Sequence, residues 1–496
     1  MAVVIAIDAG TTGVRALAVN EWGRPVARAY REFAQHYPRP GWVEHDAEEI
    51  WQAVAASVAR VAGELEDPVA AIGITNQRET TVAWDRDTGR PLHRAIVWQD
   101  RRTAARCSEL DRLGYLDLIR DRTGLVLDPY FSATKIEWLL SEGGIDRSPG
   151  LAFGTVDSWL LWCLTGGAVH ATDPSNASRT LLFDIRSQRW DGELTELFHI
   201  PPRSLPDVRP SSARVGVTAE RLGLLPPGVP ISGLAGDQAA SLFGHACFAP
   251  GMTKNTYGTG SFVLMNVGDR CPAPADGLLT SVAWVLERPA TVAYALEGAI
   301  FATGATISWL RDLGIVGEAA EVGPLAESVD GTDGVYLVPG FAGLGSPWWD
   351  PYGRGTLVGV TRGIGRGHLA RAAVEAMAYQ TRDVVDAMSA AGDHVVAELR
   401  VDGGASVIDL LLQLQADQLG VPVARSGVTE TTALGAAYLA GLAEGVWDTL
   451  DDVASHWTSD RRATPAVARA DADTNHRQWR RALSRARSWV PPAERL

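Results

Sequence analysis

The chain has 496 residues, 46% of them hydrophobic, and a formal net charge of −14; that length predicts two or three domains, and that apolar fraction excludes a disordered scaffold. The acidic balance, with basic runs no longer than Arg101-Arg102 and Arg480-Arg481, argues against a nucleic-acid partner, because binding a phosphate backbone needs a basic surface. No apolar run reaches the ~20 residues a membrane helix needs, and Asp8 follows the first apolar residues too soon for a signal peptide, so a soluble, cytoplasmic protein without membrane insertion is expected.

In chain order, Val3 to Ile7 is an all-apolar run that reads as a buried strand. It ends in Asp8-Ala9-Gly10-Thr11-Thr12-Gly13 and resumes as Val14 to Val19, so a hairpin is expected. Asp46 to Ala62 predicts a helix with Ile50, Val54, Val58 and Val61 on one face. Ala70 to Thr75 is a further strand, and Thr81 to Trp84 is expected to pair with it across a polar turn. Val229-Pro230-Ile231 runs into Gly233-Leu234-Ala235-Gly236-Asp237-Gln238, with a helix starting just after. Met252 to Tyr257, the turn Gly258-Thr259-Gly260 and Ser261 to Met265 repeat the opening hairpin. Leu399 to Asp402 is a strand leading into Gly403-Gly404 and a helix from about Ser406 to Leu419. Asn475 to Trp489 predicts an amphipathic basic helix with Trp479, Leu483 and Ala486 aligned. One Thr/Gly turn in each half implies a duplicated architecture with a site between the halves.

Asp8 ends a buried strand before a Gly-Thr-Thr turn. Such a carboxylate either stabilises the turn or holds Mg²⁺, largely through water, while the backbone N–H groups of Gly10 to Gly13 and the hydroxyls of Thr11 and Thr12 face phosphate oxygens. Arg15, in the next strand, is placed to fork onto a phosphate. Gly258-Thr259-Gly260 would be a second donor turn, and Gly403-Gly404 opens onto a helix N-terminus. Asp237, at a strand's carboxyl end where α/β proteins place their chemistry, is either a helix N-cap or a general base taking the proton from a hydroxyl that attacks a γ-phosphate. In Thr75 to Thr81, Arg78 and Glu79 offer the donors and acceptor that neighbouring hydroxyls require. Trp98, Tyr130 and Phe262 are candidates to close over a carbon skeleton. Cys107, Cys163, Cys247 and Cys271 form no CxxC and no zinc-ligand pattern, and are expected to be free thiols. Lysine occurs only at Lys135 and Lys254, which reads as a composition bias; no GxxxxGK[ST] loop is present, so an ATP site here must do without a P-loop.

The motifs DAGTT at Asp8, PGWVEHD at Pro40, GITNQRETTVAW at Gly73, IVWQDRRTA at Ile96, ISGLAGDQAASLFG at Ile231, GMTKNTYGTGSF at Gly251, WDPYGRGTLVGVTRG at Trp349 and LRVDGGAS at Leu399 resemble the FGGY family of carbohydrate kinases. NQRETT and KNTYGTG are most similar to its glycerol-phosphorylating branch, and the likeness runs from Val3 to about Gly445. The resemblance implies an α/β fold of two actin-like, ribonuclease-H-like domains around a central cleft, residues 1–245 and 246–496. It implies ATP and Mg²⁺, and the reaction ATP + glycerol → ADP + sn-glycerol 3-phosphate. By matching positions it assigns glycerol to Arg78, Glu79, Trp98, Tyr130, Asp237, Gln238 and Phe262. Nucleotide goes to Thr11, Thr12, Gly13, Arg15, Thr259, Gly304 and Gly404, and metal to Asp8 and Asp237, with Asp237 catalytic.

Homo-oligomerisation as a dimer or tetramer is also implied. Ile408 and Ser308 depart from the family's usual Asn and Gln on the base side of the nucleotide, which implies looser adenine recognition by roughly one hydrogen bond, ~1 kcal/mol. Residues 210–218 contain no histidine, so activation by phosphorylation of a loop histidine is not expected, and the sugar-phosphate effector loop has no counterpart around residues 219–228. The alternatives are a kinase of the same family acting on another polyol or a ketose, an actin- or chaperone-like ATPase whose turnover ignores polyols, and a catalytically silent sensor.

Overall fold

The structure is a computed structural model that describes residues 2–220, 222–391 and 394–491. Residues 1 and 492–496, the outermost of the two expected halves, and Arg221, inside the segment scanned for an effector loop, lie outside the described residues. In the first half the main sheet is built from β1 (Val3–Ala9), β2 (Gly13–Asn20), β3 (Pro25–Glu32), β4 (Val69–Asn76), β7 (Ser212–Val217) and β8 (Pro230–Gly236), with α1 (Ala47–Gly63) between β3 and β4. Two short strands, β5 (Val82–Asp85) and β6 (Leu151–Gly154), pair separately, and α2 (Asp237–Gly244) follows β8 without a gap. The second half supplies β9 (Thr253–Tyr257), β10 (Ser261–Gly268), β11 (Leu279–Leu286), β12 (Thr291–Ile300), α3 (Gly304–Asp312), α4 (Arg366–Ala391), β13 (Leu399–Asp402), α5 (Asp409–Leu419), β14 (Val423–Ser426), α6 (Thr431–Ala443), β15 (Ser459–Ala463) and α7 (Arg469–Ala486).

Among the described residues one sheet runs β15-β14-β13-β9-β10-β12-β11-β7-β8-β4-β1-β2-β3. The duplication is written in its pairings. β1 is antiparallel to β2 and parallel to β4, and β4 is parallel to β8; likewise β9 is antiparallel to β10 and parallel to β13, and β13 is parallel to β14. The two hairpins carrying the Thr/Gly turns therefore occupy equivalent places in two copies of one fold.

β1 is apolar from Val3 to Ile7 because both of its faces are covered there. Val3, Ile5 and Ile7 pack with Ile50, Val54 and Val58 of α1, while Val4 and Ala6 pack with Ala436 and Ala437 of α6. Helix α1 starts where Asp46 accepts from the backbone N–H of Glu48 and Glu49, an N-cap that satisfies two otherwise orphaned donors. Helix α6 lies so close to the sheet that a Cβ at Gly73 would stand 2.1 Å from the Ala436 carbonyl oxygen. It also abuts α2, where a Cβ at Gly435 would be 1.8 Å from the Ala240 oxygen. This tight seam of small residues fixes α2, and with it Asp237 at its first turn.

The sequence expectations need three corrections. Val82–Asp85 does not pair with Val69–Asn76: β4 is an inner strand already bonded on both edges by β1 and β8, so β5 takes β6 as its partner instead. The helix expected from Ser406 starts at Asp409, because residues 404–407 form a tighter single turn and Ile408 is extended. The last helix begins at Arg469 and ends at Ala486; its first turns, Arg469 to Thr474, have no apolar stripe that would announce them. Its Trp479, Leu483 and Ala486 are buried as expected, and the Trp479 indole N–H donates to Asp383 of α4.

Candidate active site

Strands β1, β4 and β8 are parallel and in register at their carboxyl ends, with Ala9 beside Asn76 and Asn76 beside Gly236. Whatever follows each strand is delivered to one edge: the Asp8–Gly13 turn, then Gln77-Arg78-Glu79, then Asp237-Gln238. Asp237 is not the N-cap of α2 but its first residue; Gly236 caps, leaving the carboxylate 31% exposed.

Arg78 is the centre of the cluster. Its two terminal nitrogens donate to both oxygens of Glu297 at 2.7 and 2.9 Å, a bidentate pair. Its Nε lies 3.1 Å from Asp237 Oδ1, yet it is a buried donor without a hydrogen-bond partner among the described residues. Arg179, fully buried, donates to Glu79 at 2.6 Å, to Ser281 at 3.0 Å and to Glu297 at 3.3 Å. Burial alone would raise the Glu297 carboxyl, but the Arg179 and Arg78 guanidiniums overcome this and bring its pKa down to about 2. For Glu79 burial wins, and its carboxyl is held above the usual range against the pull of Arg179 and Arg78. Glu79 also has a positive φ of 61°, a strained backbone for a residue with a side chain, and such strain concentrates at functional sites.

Asp8 stands 3.8 Å from Arg15. Burial pushes its pKa up to about 6, opposed by Arg15 and reinforced by the negative charge of Asp237. The turn after it closes with Gly10 N–H donating to Gly13 O at 3.0 Å, and Gly13 admits no side chain because a Cβ would meet the Tyr30 hydroxyl at 2.6 Å. Thr11 accepts from the Trp98 indole N–H at 3.0 Å, which ties the turn to the aromatic wall. Thr12 is exposed, with its hydroxyl 3.3 Å from that of Tyr30. Trp98 packs edge-on to Tyr130 with ring centroids 5.6 Å apart, and Tyr130 lies under the Arg179 guanidinium. Register puts Phe262 on the sheet face that also carries Lys254 and Glu297.

The second turn is separate but adjoining. Thr259 O accepts from Thr303 N–H and Ala305 N–H at 2.9 and 3.0 Å, and Gly304 N–H donates to Gly258 O at 2.9 Å, so the turn sits on the first residues of α3. A Cβ at Gly304 would be 2.7 Å from Gly258 O. Gly403, with φ 88°, presses against Tyr257 at the end of β9, whereas Gly404 faces open space. The two halves meet where Lys254 Nζ of β9 donates to Gln238 Oε1 of α2 at 2.5 Å and the Ser241 and Thr256 hydroxyls approach to 3.3 Å. Of the two positions where the sequence departs from the family pattern, Ile408 is buried in an apolar cluster and Ser308 is exposed.

The residue-by-residue reading missed Arg179, Glu297 and Lys254. Glu297 had a signal: a lone acid inside the apolar strand Tyr294-Ala295-Leu296-Glu297-Gly298-Ala299-Ile300. A separate cavity of about 540 Å³, lined by Arg86, Arg189, Arg203 and Trp190 among others, shares no residue with this cluster.

Two copies of this strand order in one sheet, with carboxylates and Thr/Gly turns at the strand ends, define the actin-like phosphotransferase class. Residues 3–244 match the N-terminal domain, and residues 253–444 the C-terminal domain, of the FGGY family of carbohydrate kinases, and the chain belongs to that family. It is 53% identical to a glycerol kinase of Chromobacterium violaceum over 98% of each chain. Among solved structures it is similar to Plasmodium falciparum glycerol kinase with ADP (33% identity, 98% of each chain, TM-score 0.93). A xylulose kinase from Rhodospirillum rubrum is less similar (26% identity, 97% of this chain and 98% of that one, TM-score 0.86).

Proposed function

We propose that this kinase transfers the γ-phosphoryl group of ATP to a terminal hydroxyl of glycerol, giving ADP and sn-glycerol 3-phosphate. The observation that carries the reading is the partly exposed Asp237 carboxylate, delivered to the edge where Asp8, Arg78 and Gln238 also arrive. Asp237 accepts the proton as the hydroxyl oxygen approaches phosphorus, a role that phosphoryl transfer asks of one well-placed base. Arg78, with an unused Nε donor, and Glu79 and Gln238 meet the remaining hydroxyls, and Trp98, Tyr130 and Phe262 wall off the carbon chain. Thr11, Thr12, Gly13, Arg15, Thr259, Gly304 and Gly404 take the nucleotide between the two turns. The glycerol kinase relatives at 53% and 33% identity support glycerol over a ketose.

Magnesium fits the residues present. Asp8 and Asp237 are hard oxygen donors whose mutual repulsion a cation relieves, and Mg²⁺ needs only one or two carboxylates when water and phosphates complete its shell. When bound, it neutralises charge on the phosphates. Among the described residues no helix is long and apolar enough to cross a membrane.

The test is ADP release from ATP in the presence of glycerol, erythritol, xylulose or ribulose. Glycerol should have the highest kcat/KM by at least ~10², the scale of a hydroxyl-recognising site. A ketose preference would assign the chain another substrate within the family, and turnover indifferent to polyol would make it an ATPase.

A further inference from the structure

Lys254 is fully buried on β9, in the half opposite Asp237, and its Nζ lies 2.5 Å from Gln238 Oε1 and 2.9 Å from Thr256 Oγ1. An ammonium has donors and no acceptor, so the atom of the Gln238 amide that faces it must be the oxygen. The amide NH₂ is thereby turned the other way, and among the described residues it takes no protein acceptor. Gln238 directly follows Asp237, so a polyol hydroxyl arriving there would donate to the carboxylate and accept from this NH₂, which suits a group that is both donor and acceptor.

We propose that Lys254 is a positioning residue: by locking the Gln238 amide with its NH₂ toward the polyol, it sets the affinity for glycerol, an inference that rests on the glycerol reading above. Three further observations support it. Burial draws the Lys254 ammonium down to about 8, and Asp402, Asp237 and Glu297 oppose this while Arg78 adds to it, so three acids favour the charged form that donates to Gln238. Lys254, Leu264 and Glu297 lie directly opposite one another on three adjacent strands, so the lysine shares its sheet face with the acid that grips Arg78. The chain has 45 basic residues and only two lysines, both fully buried. At this position a compact ammonium fits between two oxygens where a planar guanidinium fork does not.

The test is steady-state kinetics of Lys254→Met, Lys254→Arg, Gln238→Ala and the double variant Lys254→Met/Gln238→Ala. Lys254→Met should raise KM for glycerol about tenfold or more, the scale of one well-formed charged hydrogen bond, with KM for ATP and kcat within about threefold. Lys254→Arg should not rescue it. In the Gln238→Ala background, Lys254→Met should change glycerol KM less than about twofold, because its route of action is already gone. An undiminished effect in that background, or equal rises in both KM values, would overturn the proposal. Should Lys254→Met fail to fold, Thr256→Val removes the other oxygen holding Nζ and should shift glycerol KM in the same direction; no shift would count against the proposal. Wild-type turnover with glycerol separately tests the reading on which it rests.

Discussion

Asp8→Asn should stabilise the ligand-free protein while abolishing phosphoryl transfer. The folded-state pKa of Asp8 is raised from 3.8 to about 6, mainly by burial, and its side chain is only 16% exposed. The folded protein therefore holds the proton more tightly than the unfolded chain, and ionising the group costs stability. That cost is absent below about pH 4, grows between pH 4 and 6, and is complete above 6. Two units at ~1.4 kcal/mol each give about 3 kcal/mol at neutral pH, and roughly half that at pH 5. Asparagine keeps the shape without the charge. Urea unfolding without nucleotide should show the variant more stable at pH 7.5, with a smaller gain at pH 5, and ATP turnover with glycerol and Mg²⁺ should be lost. A variant no more stable at pH 7.5 would refute the dry, charge-crowded setting, and one that still turns over would refute the metal role.

Glu297→Gln should destabilise the fold by about 3 kcal/mol or more, since it leaves Arg78 and Arg179 buried with one countercharge fewer, and it should weaken glycerol binding; urea midpoints and glycerol KM measure the two effects. The stability that Glu297 contributes is present above the carboxylate range and disappears as pH falls toward 2, so the difference between wild type and variant should narrow in acid. Gly435→Ala should cost ~1–3 kcal/mol or more because its Cβ meets the Ala240 backbone, which has no flexible end to yield. An unchanged melting temperature would mean that α2 and α6 can separate freely.

The sequence displayed the chemistry wherever a charge broke an apolar pattern next to a turn. Asp8 stands one residue before the end of β1 and Asp237 directly after β8, and the structure sets both at the same sheet edge. The two Thr/Gly hairpins announced the duplication because their partners are local. β5 and β6 are far apart in the chain, and nothing in Val82 to Asp85 says which distant strand will accept it. Thr253-Lys254-Asn255-Thr256 is polar in every residue, and only the cover of α2 on one face and α4 on the other reveals that its side chains are held inside the protein. Arg179 lies in a short polar stretch, Ser178-Arg179-Thr180, that resembles any loop until Glu79 and Glu297 are brought to it. Scarcity of lysine reads as compositional, and composition does not say that the two lysines present hold the Tyr130 backbone and Gln238.

Turnover of purified Asp237→Asn, at saturating glycerol, ATP and Mg²⁺, tests the central claim most directly. Loss of a general base predicts a fall in kcat of roughly 10²–10⁴, with ADP still bound as tightly as by the wild type. A variant that phosphorylates glycerol at a near-normal rate would show that the proton leaves by another route and that this strand end is not where the reaction occurs.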